Sequence, residues 1–167
     1  MILWENAVVG IIQLLVAIVF SVIALYAGFL VLNWITREID EEKELAQGNA
    51  AVGIFVASVF IAIALVVQSG VSGLSVGINR ALSIGILTGD GILTVVIAVV
   101  QLFLGIILAV GSIYLALRFL DRLTSGVNEF EELRKGNVAV ALEMAGVIIA
   151  VAVIIQTGVI GITAAIL

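Results

Sequence analysis

Two ionisable residues, Arg118 and Glu143, stand within or beside otherwise apolar stretches of this sequence. A charge in a hydrocarbon medium needs a partner or a hydrated cavity, so it marks a structural clasp or a place where a proton or substrate is handled. Arg118 lies six residues before Thr124, and Glu143 six residues after Asn137. On helical rise, both then sit about 9 Å from the same charged segment. The spacing predicts an intramembrane ion pair near one rim. Gln13, Gln68, Gln101 and Gln156 form a second constellation. Gln13 falls about 35 Å from Thr36 and Gln68 about 29 Å from Asn49 on helical rise, so all four gather at the end away from the charge. They would either make interhelical amide bonds of about 0.6–2 kcal/mol each or form a polar ring at an outer vestibule. Tyr26 and Tyr114, near mid-depth, read as interhelical hydroxyl donors.

Other chemistry is excluded by residue type. The chain has no Cys and no His, so disulfides, thiolates and the commonest general base and metal ligand are absent. The run Asp40, Glu41, Glu42 and Glu44 lacks the glycine and alternating ligands of a calcium loop. It reads as a solvated helix face. With no phosphate-cradling glycine motif and no nucleophile elbow, neither enzyme activity, a metal nor a cofactor is expected. The net charge of -5 argues against nucleic acid as a partner.

The elements that hold these residues follow from composition. Of 167 residues, 63% are hydrophobic and 11% charged, whereas soluble domains carry about 25% charged residues. Four windows contain no charge: Asn6 to Thr36, Gln47 to Asn79, Gly91 to Leu117 and Met144 to Leu167. Each exceeds the roughly 20 apolar residues that cross a bilayer core. Continuous apolar runs, rather than short alternating ones, exclude a barrel. The expected fold is an all-α integral membrane protein with four transmembrane helices. The first apolar stretch has no preceding basic region and is too long for a cleaved signal peptide. Trp4 and Trp34 stand near its ends as interfacial anchors.

Between the first two spans lies a charged corner, residues 37–49, and between the last two a second, residues 118–137. Each holds a short surface helix, the first expected over Glu38 to Gln47. Gly48 and Gly136 read as helix stops, and Asn49 and Asn137 as the caps that restart the chain. The second span is expected to end near Ser69. A looser segment, Gly70 to Gly91, follows, with glycine at 70, 73, 77, 85, 89 and 91. All the Lys and Arg except Arg80 flank the corners. The positive-inside rule therefore makes the corners cytoplasmic and places both termini outside.

The chain is written twice. Sliding it by 88 residues pairs 1–79 with 89–167, and 25 of the 79 pairs are identical. These include Gln13/Gln101, Tyr26/Tyr114, Gln68/Gln156 and Gly70/Gly158, which chance matching of Val, Ile and Ala would not supply. The units are residues 1–79 and 92–167, with an outer connector at 80–91. Each holds two spans, so the copies share one orientation and are parallel repeats. Ala17, Ser21, Ala24 and Gly28 match Gly105, Ala109, Ser112 and Ala116. Small in both copies, they make a helix-packing stripe.

Thr36, Ile39, Asp40, Glu44, Leu45, Gly48, Asn49 and Ala51, followed by an Ala-rich apolar helix, resemble the domain of unknown function 350 (DUF350) family. The second copy matches at Thr124, Val127, Glu132, Leu133, Gly136, Asn137, Ala139 and Ala141, and departs at Asn128, where the family prefers Asp. The resemblance implies a small prokaryotic membrane protein, with some relatives encoded beside phage-shock-type or band-7-type membrane-maintenance proteins. The expected function is therefore structural or regulatory. In it, a homo-oligomer in the lipid bilayer docks a cytosolic membrane-maintenance protein through its acidic loops. The alternative is an ion channel or small-solute transporter with the glutamines lining its outer vestibule.

Overall fold

A backbone in lipid must satisfy its own hydrogen bonds, and without proline nothing in this chain is obliged to break a helix. The computed structural model describes residues 2–35, 40–85, 87–123 and 128–166. Six helices follow one another: α1 (Ile2–Ile35), α2 (Glu41–Ala46), α3 (Ala50–Ile84), α4 (Gly89–Leu123), α5 (Glu129–Arg134) and α6 (Val138–Ile166). Three segments are long and apolar enough to cross a membrane: Ala50–Ile84, Gly89–Leu115 and Val138–Ala165. Within α1 the apolar helical stretch is Gly10–Ile23. The chain is a multi-span, all-α membrane protein.

The second long helix corrects the expected break near Ser69. α3 runs without interruption to Ile84, and α4 begins at Gly89. Glycine here serves packing rather than chain reversal. A Cβ on Gly70 would come within 2.6 Å of Leu102 Cδ1 on α4, and one on Gly73 within 2.9 Å of Thr163 Oγ1 on α6. Missing side chains let the helices approach this closely, as small residues do in membrane bundles. The reversal falls instead at Gly85, which adopts a φ of 98°.

α3 is the centre of the bundle. It packs against α4, α6 and, less extensively, α1, while α4 also lies against α6. Among the described residues, α1 and α6 share no packed face. The core gathers Phe55, Val66, Leu133, Met144 and Ile148, all essentially inaccessible. α1, by contrast, leaves large side chains such as Leu14, Leu15 and Val22 exposed.

Of the expected packing stripe, Gly105 is buried, with Val159 across from it, and Ala17 and Ser21 are half-buried. The side chains of Ala24, Gly28, Ala109, Ser112 and Ala116 lie outside the described residues, as do Thr36 and Thr124 altogether.

Candidate functional site

The polar residues of the bundle are concentrated where the two short helices meet the long ones. In the first corner, Asp40 caps α2 by accepting from the Lys43 backbone N–H at 3.1 Å, so the helix begins at Glu41 rather than earlier. Gly48 then reverses the chain at a φ of 79°, a conformation that disfavours any side chain. Asn49 starts α3, its Oδ1 accepting from the backbone N–H groups of Ala51 and Val52 at 3.1 and 3.3 Å. The second corner repeats this layout 88 residues on. Asn128 accepts from Glu131 N–H, Gly136 sits at a φ of 80°, and Asn137 accepts from Ala139 and Val140. The change from Asp40 to Asn128 preserves the cap, because capping needs a side-chain oxygen rather than a charge.

Each restart asparagine also holds its own corner shut. Asn49 Nδ2 donates to Glu44 Oε2, and Asn137 Nδ2 to Glu132 Oε2, both at 2.8 Å. Glu132 additionally accepts from Lys135 Nζ at 2.9 Å. The Asn137 hydrogen bond first, and Lys135 second, hold the Glu132 carboxyl below the ordinary carboxylate range. Glu41 shifts the other way: partial burial, reinforced by neighbouring Asp40 and Glu42, pushes its carboxyl up.

A depressed folded-state pKa contributes stability that is complete above the unfolded value and is lost as pH falls through the depressed one. Acidification through and below the ordinary carboxylate range is therefore expected to loosen the second corner. Protection of the Gly136 to Val140 amides, taken relative to the intrinsic exchange rate at each pH, should fall there in the wild type. In Glu132→Gln, protection should be lower already at neutral pH and should show less change on acidification.

One contact joins the corners. Asn49 Nδ2 also donates to the Leu133 carbonyl at 2.9 Å and the Arg134 carbonyl at 3.3 Å. It thereby adds a second donor to the Leu133 carbonyl, which also accepts from the Gly136 N–H at 2.9 Å, and supplies one to the Arg134 carbonyl at the end of α5. Phe130 of α5 meets Phe55 of α3 edge-to-face, with centroids 6.1 Å apart. The reach from the first corner to the second was not visible in the sequence. It needs the tertiary position of Leu133, whose alternation with polar neighbours gives no such signal.

The other expected constellations are arranged differently. Arg118 Nε donates to Tyr114 Oη, one turn back on α4, at 3.2 Å. Glu143 is exposed, because Ala141 and Met144 beside it occupy the buried side of α6. Among the described residues, the ion pairs are those of Lys135 with Glu131 and Glu132, so Arg118 and Glu143 are not joined within the chain. The four glutamines have separate surroundings. Gln13 Nε2 donates to Asn79 Oδ1 on α3 at 3.2 Å, a partner that spacing along the sequence does not reveal. Gln68 borders an open groove of about 260 Å³ between α1 and α3, with Ser21 and Ala64. Gln156 is half-buried. Gln101 is buried in α4, and neither of its amide atoms has a hydrogen-bond partner among the described residues. No cluster of three or more metal-ligating side chains occurs among the described residues.

Comparison with known families gives one match. A family model described as Domain of Unknown Function (DUF350) matches residues 6–109 and again residues 92–167. No curated protein and no solved structure matches the chain.

Proposed function

From the premise that this chain belongs to the DUF350 family, we propose that it is a non-enzymatic structural or regulatory component of the membrane. In this reading, it assembles with further copies of itself and docks a cytosolic membrane-maintenance protein through its charged corners. α1 serves as a fourth span, both corners face the cytoplasm and both termini lie outside, in keeping with the distribution of Lys and Arg.

The observation that carries the reading is the Asn49 bridge. It ties two short acidic helices to each other and to the bundle, and so presents their charged side chains on a fixed frame. Glu42 and Lys43 of α2 and Glu131 of α5 remain exposed. Glu44 and Glu132 are occupied in bracing the corners, which leaves the exposed carboxylates as the docking groups. Their charge calls for a partner surface rich in Lys or Arg.

The test uses the purified protein in mild detergent and in vesicles. Its mass is expected to be a multiple of 17.4 kDa. A cytosolic membrane-maintenance protein should co-purify with the wild type and be lost from Glu131→Lys, with the oligomeric mass unchanged.

A second reading has one specific support. The unpartnered Gln101 amide inside the bundle needs water or a ligand to satisfy it. That favours a hydrated path along the interior. Ion flux in reconstituted vesicles that disappears in Gln101→Leu would establish that reading in place of the first.

A further inference from the structure

The two copies share sequence but not surroundings. The face of α3 that holds Phe55, Ala62, Val66 and Gly70 is buried, with Phe55 on Phe130 of α5 and Gly70 against Leu102 of α4. Its counterpart on α6, displaced by 88 residues, is Glu143, Ala150, Ile154 and Gly158, and all four are exposed. Val66 is 1% accessible, whereas Ile154 is 70% accessible. A Cβ on Gly70 would collide with Leu102, whereas one on Gly158 would meet nothing within 4 Å.

The surfaces that fill the buried site have unfilled counterparts too. Leu102 is 0% accessible and its counterpart on α1, Leu14, is 59% accessible; Leu133 is 0% accessible and its counterpart on α2, Leu45, is 44% accessible. Asn49 donates to the Leu133 carbonyl, while Asn137, alike in every local contact, makes no such reach among the described residues. One chain thus contains a complete interface between its two copies and both unmatched halves of a second. The receiving half lies on α6 and the inserting half on α1 and α2.

We propose that a second copy of this chain occupies the α6 face head-to-tail, its α1 and α2 repeating the contact that α4 and α5 make with α3. The proposal deepens the homo-oligomer reading above and rests on it. In the repeated register, Leu14 of the incoming chain seats on Gly158, and Asn137 donates to the Leu45 carbonyl of the incoming α2. Such an interface is heterologous, and because neighbours must share one orientation in the bilayer, successive additions turn about the membrane normal, giving a ring where the rotation closes. The aromatic contact is the part not repeated: Phe55 and Phe130 become Glu143 and Glu42, two carboxylates at the rim with Lys43 adjacent on α2. A charge on a lipid-facing helix surface is costly, whereas at a protein rim beside a lysine Glu143 has a counter-ion.

The chain has no cysteine, so introduced thiols report cleanly. Glu42→Cys/Glu143→Cys treated with a short bis-maleimide should give a ladder at multiples of the chain mass. The two single variants should give dimers when mixed and nothing when each is treated alone. Phe55→Cys/Phe130→Cys should cross-link only within the chain. Gly158→Leu should reduce the native mass to the monomer while keeping the helical circular dichroism of the wild type, because Gly158 is exposed in the isolated chain and a Cβ there meets nothing within 4 Å. Glu143→Cys cross-linking to itself would establish a face-to-face contact and overturn the proposal. An oligomeric mass with no interchain cross-link would overturn this interface and leave the homo-oligomer standing. A monomeric mass for the wild type would remove the homo-oligomer and the interface together.

Discussion

Gly70→Ala should destabilise the bundle, whereas Gly158→Ala, the same change at the matching place in the second copy, should not. The new methyl at position 70 lies 2.6 Å from Leu102 Cδ1 and 3.5 Å from Leu102 Cα. The second is an ordinary van der Waals separation, so it is the leucine end that must move, and Leu102 is 0% accessible, with no open space to turn into. Overpacking of this kind costs about 1–3 kcal/mol. Part of the loss is offset, because alanine is favoured over glycine inside a helix by about 1 kcal/mol. At Gly158 the added methyl meets nothing within 4 Å, so only the favourable helix term acts on the isolated chain. Reversible unfolding in mixed micelles should thus move the two variants in opposite directions. Gly70→Leu, whose side chain cannot be absorbed by one rotamer change, should fail to form the α3–α4 pair at all. Stabilisation of both variants alike would mean that Gly70 is not a packing residue.

This contrast shows where the sequence was readable and where it was not. Apolar run length identified a helical membrane protein, because hydrocarbon thickness and backbone hydrogen bonding leave few alternatives. The 88-residue repeat identified the corner residues, because two independent stretches needed the same stop and restart. Glycine content misled the reading between 70 and 84. The sequence alone cannot distinguish a glycine that reverses the chain from one that admits a neighbouring helix, and Gly70 and Gly73 are the second kind. The placing of Glu143 beside Arg118 failed for a related reason. Depth along a helix follows from counting residues, but the direction of a side chain follows from which face is buried, and that depends on how the copies pack. The two copies bury different faces of matching helices, an asymmetry that no comparison of the copies with each other could reveal.

Asn49→Ala should be the most damaging polar substitution in the chain, and more damaging than Asn137→Ala. Both asparagines cap a long helix, and losing a cap costs about 0.5–2 kcal/mol. Both also brace a glutamate of their own surface helix. Asn49 alone extends to the Leu133 and Arg134 carbonyls, at a place where Leu133 is wholly buried. Removing that donor leaves the Leu133 carbonyl with the Gly136 N–H alone and takes the side-chain donor from the exposed Arg134 carbonyl, a net loss of about 0.5–1.5 kcal/mol. The two losses together come to about 1–3.5 kcal/mol, against about 0.5–2 kcal/mol for the cap alone at Asn137. Asn49→Asp separates the contributions. It keeps the oxygen that caps α3 but has no N–H to donate, and it turns a carboxylate towards Glu44 and two carbonyl oxygens. If capping were the whole role, Asp would rescue what Ala loses. Because the bridge between the corners is also at stake, Asn49→Asp should unfold at least as readily as Asn49→Ala, and amide exchange should rise in α5 as well as at the start of α3. An Asp variant indistinguishable from wild type would show that the corners hold their places without this bond.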